Sequence, residues 1–137
     1  MLGVGILGAG FFGAFHARAI AAIEDISVVA VCAEDQALAD TFAAEHGGKP
    51  YGDWRAMLDD ASVDAVVITA PHHLHCEFAV AALAAGKHVL LEKPMARSVA
   101  ECSRIIASAA ANVSASANSS AHTATTLISG TAAIARA

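Results

Sequence analysis

The chain has 137 residues, of which 56% are hydrophobic and 15% are charged. Because disordered chains combine low hydrophobicity with high charge, this composition indicates a folded chain of about one domain. Eight Lys and Arg against 13 Asp and Glu give a net charge of −5, and the basic residues are scattered, which argues against a nucleic-acid partner. Three cysteines without a CxxC pair argue against a disulfide framework or a structural zinc site, and they favour a reducing, cytoplasmic location.

The apolar N-terminus raises the question of a signal peptide or a membrane helix. Residues 1–15 carry no charged side chain, but five glycines interrupt them, and His16 and Arg18 follow. A membrane-spanning helix needs about 20 apolar residues, and a signal peptide begins with basic residues. We therefore expect neither secretion nor insertion into a membrane.

Short apolar runs alternate with helical segments along the first 110 residues. Four runs have the length and composition of strands buried on both faces: Leu2–Leu7, Ile26–Cys32, 64–70 and His88–Leu91. Helices are predicted over residues 11–23, 36–45, a short segment ending at Leu58, 73–85, and 98 to about 110. This alternation predicts right-handed crossovers, and hence a single-domain α/β fold with a doubly wound parallel sheet of the Rossmann type.

Residues 111–137 have a different composition. Nearly all of residues 112–126 are Ala, Ser, Thr or Asn, without apolar periodicity. Ordering the chain costs about 1–2 kcal/mol per residue, and few side chains here could offset that cost by burial. The sequence therefore predicts a Rossmann domain over residues 1–110, followed by a low-complexity tail that is either weakly ordered or covered by a partner subunit.

A GxGxxG pattern follows the first predicted strand and opens the first predicted helix. In this context Gly8 allows a tight turn, Gly10 lets the backbone approach a diphosphate, and Gly13 allows close packing of helix and strand. The free N–H groups at the helix start, where Phe11 and Phe12 lie, favour an anion. The pattern predicts dinucleotide binding, and the alternative is a simple glycine turn.

Dinucleotide-binding domains of this type place an acidic residue about 20 positions further on, where it holds the adenosine ribose. Ala33 occupies the usual position, whereas Glu34 and Asp35 follow it directly and could substitute. No arginine lies nearby to pair with a 2′-phosphate, which Glu34 would repel. These features favour NAD over NADP as the cofactor. The alternative is that both acidic residues are solvated loop residues or helix caps.

Residues 64–94, DAVVITAPHHLHCEFAVAALAAGKHVLLEKP, carry a second group of motifs. Together with GAGFFGAFH near the N-terminus and the capped helix after Pro94, they resemble the Gfo/Idh/MocA oxidoreductase family over about residues 2–107. The resemblance implies the N-terminal NAD(P)-binding domain of a sugar, inositol or polyol dehydrogenase. Such enzymes move a hydride between the nicotinamide and a carbinol carbon of the substrate.

The resemblance also implies roles for residues after the fourth predicted strand. Glu92, Lys93 and Pro94 match the EKP motif of the family. Lys93 would lie beside the nicotinamide and the reacting oxygen, where an ammonium stabilises alkoxide charge and relays a proton; the alternative is a surface lysine. Glu92 would orient Lys93 or the cofactor, and Pro94 would fix the loop through a cis peptide bond.

The loop after the third predicted strand completes the predicted cofactor site. Thr69, Pro71 and His72 match the loop that family members lay along the cofactor, although the family commonly has Asn at the position of His72. His75 matches a family histidine and is included among the cofactor-binding residues, with a structural role as the alternative.

The remaining histidines and the tryptophan are interpreted as structural. His72, His73 and His75 are not expected to bind a metal, because zinc needs three or four convergent ligands and no companion Cys/His pair has suitable spacing. His16 and Trp54 are expected to be packed side chains.

Family members are more than twice as long as this chain, and their C-terminal domain supplies most of the substrate pocket and the catalytic histidine. Nothing after Ala110 resembles that domain, so we expect it to be absent through truncation or an altered reading frame near residues 109–113. The alternative is a short single-domain protein. Two functions stay open. One is an NAD(P)-dependent oxidoreductase, or its nucleotide-binding part, acting on a sugar- or polyol-like hydroxyl. The other is a non-catalytic dinucleotide-binding module that forms a homo-oligomer through the surface left uncovered.

Overall fold

The structure, a computed structural model, describes residues 1–118 and 127–129. In this part of the chain the strands are β1 Leu2–Leu7, β2 Ile26–Cys32, β3 Lys49–Tyr51, β4 Ala65–Ile68, β5 His88–Leu91 and β6 Leu127–Ser129. The helices are α1 Phe11–Ala21, α2 Gln36–His46, α3 Trp54–Leu58, α4 His75–Ala84 and α5 Val99–Asn118, with a 3₁₀ turn at His72–Leu74. All strands are parallel, in the order β3-β2-β1-β4-β5-β6. The predicted doubly wound Rossmann sheet is confirmed.

Two apolar clusters bury the faces of the sheet. One includes Ile68 of β4, Leu83 of α4 and Ile105 of α5, and the other includes Ile6 of β1 and Phe42 of α2. Burying a side chain of this size stabilises a fold by about 1.5–3 kcal/mol. This two-sided burial explains why the central strands have continuous apolar sequences rather than alternating ones.

The carboxyl ends of four neighbouring strands are in register. Leu7 pairs with both Cys32 and Ile68, and Ile68 pairs with Leu91. The loops that follow these four residues therefore begin at the same edge of the sheet. The chain leaves the central strand β1 toward β2 on one side and returns as β4 on the other. In open α/β sheets, ligands bind in the crevice beside such a reversal of strand order.

The structure differs from the sequence-based prediction at the sheet edges and at the last helix. β3 was not predicted, because it has only three residues and one is Pro50, which is tolerated at a sheet edge. β6 lies within the segment predicted to be a tail.

The predicted end of the last helix near Ala110 is wrong, because α5 continues to Asn118. Alanine has the highest helix propensity, and Asn112 is buried with its Nδ2 donating to the Lys87 carbonyl oxygen at 3.4 Å. The tail prediction for residues 119–126 and 130–137 lies outside the described residues. Although α5 has 20 residues, neither it nor any other described helix is long and apolar enough to cross a membrane.

Candidate functional site

The turn between β1 and α1, which we call the glycine turn (residues 8–13), depends on the small size of two glycines. Gly8 has a φ of +114°, and a Cβ there would lie 2.8 Å from the Thr69 carbonyl carbon. A Cβ at Gly13 would lie 2.2 Å from the Gly8 carbonyl oxygen. Both contacts are with backbone atoms, which cannot move aside as the end of a flexible side chain can. The packing of the turn therefore accounts for Gly8 and Gly13.

Gly10 is different, because no described residue occupies the space of its missing side chain. A Cβ at Gly10 would meet no atom of residues 1–118 or 127–129 within 4 Å. Gly10 is also the N-cap of α1, and no side chain caps this helix start. The first N–H groups of a helix have no partner within the helix, so this turn presents open space beside amide donors. That arrangement fits the diphosphate of a dinucleotide.

Thr69, in the loop after β4, forms a hydrogen bond with the glycine turn. Its hydroxyl donates to the Gly8 carbonyl oxygen at 2.8 Å and lies 3.3 Å from the Leu7 carbonyl oxygen. Thr69 was predicted to lie along the cofactor. Contact with the cofactor stays a prediction for Thr69, while its described hydroxyl contacts fix the glycine turn against the end of β4.

A cleft of about 380 Å³ opens beside the glycine turn at the carboxyl edge. It brings together three predicted residues, Gly8, Glu34 and Pro71. Glu34 is exposed at the rim, whereas the Asp35 carboxylate accepts a hydrogen bond from the Ala37 N–H at 2.9 Å and so caps α2. Of the two acidic candidates, Glu34 is therefore the one that faces the cleft.

Trp54 and Cys32 also line the cleft. The Trp54 ring packs against Phe78 with 5.0 Å between ring centroids, and the Arg55 guanidinium lies 4.0 Å above the indole. Burial, with a smaller effect of the Asp53 carboxylate, raises the pKa of Cys32 to about 11. The thiol therefore stays neutral and acts as a small apolar part of the wall.

A wider recess, of about 600 Å³, lies at the amino edge of the sheet beside His88. Its size alone does not make it the site. It is not lined by the glycine turn, by the N-terminus of α1 or by the Lys93 loop described next. The carboxyl edge has all three, so we place the candidate site there.

Residues 92–94, which we call the Lys93 loop, follow β5 at the carboxyl edge. The Lys93–Pro94 peptide bond is cis, as the sequence analysis expects. The Lys93 side chain is exposed, and its Nζ lies 5.9 Å from the centroid of the Phe12 ring. Phe11 and Phe12 are themselves exposed, with their rings edge to face. The fold thus brings Lys93 next to the start of α1.

Glu92 is held by a histidine that lies 76 residues earlier in the chain. His16 Nε2 lies 2.8 Å from Glu92 Oε1, and the Lys93 N–H donates to Glu92 Oε2 at 3.2 Å. The hydrogen bond with His16 is the main reason why the pKa of Glu92 lies below its ordinary value, and burial opposes that shift. The pair joins α1 to the Lys93 loop.

His75 is fully buried between two loops of the site. Its Nδ1 lies 2.8 Å from the Pro94 carbonyl oxygen, and its Nε2 lies 2.9 Å from the Ala70 carbonyl oxygen. Contact with a cofactor stays a prediction for His75, while its described contacts join the loops after β4 and β5. His72 is exposed, with its ring 5.4 Å from that of His75. Within the described part of the chain, no group of three or more His, Cys, Asp or Glu residues could hold a metal ion.

Comparison with known proteins agrees with this geometry. The sequence model of the "Oxidoreductase family, NAD-binding Rossmann fold", GFO_IDH_MocA, matches residues 2–117. The chain belongs to the Gfo/Idh/MocA family.

Individual relatives of this Gfo/Idh/MocA chain are dehydrogenases and reductases. It is 41% identical over 110 residues to an inositol 2-dehydrogenase of Salmonella paratyphi B, covering 77% of this chain and 32% of that enzyme. An NAD-binding oxidoreductase from Klebsiella pneumoniae has a similar structure, with a TM-score of 0.76 and 38% identity over 81% of this chain and 32% of that one. The structure of a 3-ketoreductase from Actinomadura kijaniata in complex with NADP is similar with a TM-score of 0.77 and 32% sequence identity. The similarity covers 81% of this chain and 36% of that one. The chain thus spans about a third of the length of these relatives.

Two residues of this Gfo/Idh/MocA domain contribute to the site in ways that the sequence analysis did not predict. His16 was expected only to pack, but it binds Glu92. Trp54 packs against the apolar core as predicted, and it also lines the cleft, which was not predicted. His16 lies three residues after Gly13, on the helix that follows the glycine turn, and this position is the sequence feature that indicates a place near the site. Nothing local marks Trp54, because the cleft forms only when distant loops meet.

Proposed function

We propose that this chain binds a nicotinamide dinucleotide at the carboxyl edge of its sheet and is the nucleotide-binding part of a sugar or polyol dehydrogenase. The observation that carries the proposal is the open space at Gly10 beside the uncapped start of α1. Gly8 and Gly13 are explained by packing within the turn, whereas Gly10 is explained by a ligand that approaches the backbone. The membership in a family of NAD-binding oxidoreductases supports the same proposal.

The geometry supports one orientation of the dinucleotide. The diphosphate would lie against the amide groups of the glycine turn, and the adenosine half would enter the cleft beside Glu34. The nicotinamide half would then extend toward Lys93. A carboxylate at Glu34 accepts hydrogen bonds from both ribose hydroxyls but repels a 2′-phosphate. No Lys or Arg is among the residues that line the cleft, and the Arg55 guanidinium beside Trp54 donates to Glu77 Oε1 at 3.4 Å. We therefore propose NAD rather than NADP as the preferred cofactor.

We propose Lys93 as the catalytic residue of the complete enzyme. The nicotinamide, when bound, supplies the site that gives or accepts a hydride. The Lys93 ammonium would donate a hydrogen bond to the substrate oxygen, stabilise negative charge that develops there and pass a proton. Its exposed position gives a substrate access. A hydroxyl of a sugar or polyol is the proposed reacting group, because the similar inositol 2-dehydrogenase acts in that substrate class.

Calorimetry with Gly10→Ala tests the binding proposal. The unaltered chain should bind NADH. In Gly10→Ala the new methyl group meets no atom of the described part of the chain, so thermal stability should be retained. NADH affinity should fall by about tenfold or more, which corresponds to about 1.4 kcal/mol.

The matched control is His88→Gln, in the recess at the amino edge, which should bind NADH like the unaltered chain. Unchanged affinity in Gly10→Ala, or no binding by the folded unaltered chain, would refute the proposal. Weaker binding of NADPH than of NADH is expected, and equal or tighter binding would overturn the role given to Glu34.

Turnover separates the two functions that the sequence leaves open. The chain is mixed with NAD and a panel of polyols, and reduction of NAD is measured by the absorbance of the reduced nicotinamide. Reduction that Lys93→Ala abolishes would establish catalysis. Dinucleotide binding without turnover would support a non-catalytic module.

Three free thiols, at Cys32, Cys76 and Cys102, are in keeping with the proposed cytoplasmic location. A homo-oligomeric state stays a prediction that sedimentation can test.

A further inference from the structure

Helix α1 turns its small side chains toward the sheet and its large apolar side chains away from it. Gly13 and Ala17 are the buried residues of this helix. By contrast, the exposed fractions are 75% for Phe11, 51% for Phe12 and 56% for Phe15. A surface helix of a globular domain has the opposite arrangement, with apolar side chains against the core and polar ones outside. The outer side of α1 is therefore an apolar surface that the described chain leaves uncovered.

The residues on this outer side, which we call the α1 face, are all apolar and exposed: Phe11, Phe12, Phe15, Ala19, Ala22 and Ile23. The only Lys, Arg, Asp or Glu among residues 1–23 is Arg18, so the net charge of −5 arises elsewhere in the chain. Charged residues are depleted from the cores of protein interfaces, and two copies would meet little repulsion at such a face.

The cofactor site does not account for the α1 face. None of its residues lines the cleft beside Glu34. Phe12 lies next to Lys93, but Ile23 follows about 16 Å further along the helix direction. Other exposed apolar side chains are more widely spaced, since Val99, Ile106 and Val113 follow one another along α5 at about two-turn intervals. The α1 face is thus a continuous surface that a ligand at the glycine turn would leave exposed.

The area of the α1 face matches the apolar core of a dimer interface. With about 200 Å² for a fully exposed residue of this size, its three phenylalanines and Ile23 expose about 450 Å². Stable interfaces bury about 800 Å² on each partner, and about 65% of that area is apolar in homodimers. The α1 face would therefore provide most of the apolar area that one partner needs.

The order of side chains along α1 favours a second copy of this chain as the partner. Large residues, Phe11 and Phe15, lie in its first half, and a small one, Ala19, lies in its second half. In an antiparallel pair with a two-fold axis at the level of Ala17, Phe15 faces Ala19 of the partner subunit. Rings then fill the space above small residues, as ridges fit into grooves. A two-fold pair requires a surface that is complementary to itself in this way.

We propose that the chain forms a homodimer through the α1 face, with the two α1 helices antiparallel and Phe15 packed on Ala19 of the partner subunit. The pairing gives the expected homo-oligomer a defined surface. Because none of these residues lines the cleft, the dimer forms without a dinucleotide. Phe12 lies beside Lys93, so the partner subunit approaches the proposed reaction site at this end of the face.

Sedimentation of the full chain without ligand, over a range of micromolar concentrations, tests the dimer. The unaltered chain should reach twice the mass of one chain. Phe15→Asp should raise the dissociation constant by about 100-fold or more, because pairing would bury a carboxylate without a partner. Ile106→Asp is the matched control and should change nothing. Ile106 has the same exposed fraction of 56%, but it lies on α5 at the opposite face of the sheet.

A monomeric unaltered chain, or a dimer that Phe15→Asp leaves intact, would overturn the proposal. Dissociation by Ile106→Asp alone would place the interface on α5 and would overturn it as well. Both substitutions change exposed side chains, so thermal unfolding followed by circular dichroism should show that both variants fold. The mass of the unaltered chain decides the proposal even if one of them does not.

Exchange of the large and small residues tests the antiparallel pairing. Phe15→Ala removes a ring from the interface, and Ala19→Phe places a ring opposite Phe15 of the partner subunit. Each change alone should weaken the dimer by about tenfold. In the double variant a ring again faces a small residue, so the dissociation constant should return to within about threefold of that of the unaltered chain. If the two losses simply multiplied, the proposed pairing of Phe15 with Ala19 would be wrong.

Discussion

The glycine turn and the Lys93 loop lie at the same edge of the sheet, but different interactions fix their shapes. The glycine turn is shaped by backbone atoms that leave no room for a Cβ at Gly8 or Gly13. The Lys93 loop is shaped by side chains that come from elsewhere, His16 and His75. The first arrangement is steric. The second depends on contacts that side chains of α1 and α4 make with Glu92 and Pro94, so a single side-chain substitution can disturb it without changing the glycine turn.

The largest expected effect is that of Gly13→Ala in the glycine turn. Its Cβ would lie 2.2 Å from the Gly8 carbonyl oxygen, so helix and turn must separate. We expect a loss of about 3 kcal/mol in the free energy of unfolding, together with loss of NADH binding. Urea denaturation gives the first quantity and calorimetry the second. If Gly13→Ala were as stable as Gly10→Ala, the steric account of the turn would be wrong.

Thr69→Val should have a smaller effect on the same turn. The substitution keeps the shape of the side chain but removes the donor to the Gly8 carbonyl oxygen. We expect a loss of about 1 kcal/mol in the free energy of unfolding and a few-fold weaker binding of NADH and ADP alike. Thr69→Ser retains the hydroxyl and should retain most of the affinity. A variant that weakened NADH but not ADP would place Thr69 with the Lys93 loop instead.

His16→Ala tests the side-chain attachment of the Lys93 loop. Because the His16–Glu92 pair is partly exposed, we expect a loss of only about 0.5–1 kcal/mol in the free energy of unfolding. NADH binding should weaken more than ADP binding, since Glu92 adjoins Lys93. His16→Gln can still donate to the carboxylate and should recover part of the loss. If His16→Gln recovered neither property even in part, ring packing rather than the hydrogen bond would matter at this position.

The smallest effect should appear in the pH dependence of stability. The pKa of Glu92 is below its ordinary 4.5 in the folded chain, mainly through the hydrogen bond with His16. The unfolded chain therefore takes up the proton first as the pH falls. The contribution is complete above about pH 4.5 and is lost at lower pH. Glu92→Gln should reduce the loss of unfolding free energy at acid pH by about 0.5 kcal/mol or less. Thr69→Val should leave the slope of unfolding free energy against pH unchanged. Matching slopes in the unaltered chain and Glu92→Gln would contradict the pKa direction.

The glycine turn could be predicted from the sequence because its causes are local. A buried strand, the three glycines of the glycine turn and a helix lie within the first 21 residues, and Leu2–Leu7 has the predicted bounds. The Lys93 loop could be located by its motif, but the residues that hold it could not be predicted. His16 is 76 positions from Glu92, and His75 is 19 positions from Pro94, so only the folded sheet shows these contacts.

Short elements at the sheet edges were missed for a different reason. The three residues of β3 contain a lysine and a proline, and such a strand forms because β2 is already in place beside it. The continuation of α5 past Ala110 shows that the high helix propensity of alanine extends this helix although the sequence there lacks apolar periodicity.

Trp54 gives this chain an intrinsic optical reporter. It is the one tryptophan among 137 residues, and its indole lines the side of the cleft proposed for adenosine. An adenine ring that entered there would change the emission of a single fluorophore, without a label or a coupled assay. A ligand that reached only Lys93 would leave that emission unchanged, so the two halves of the dinucleotide could be followed separately.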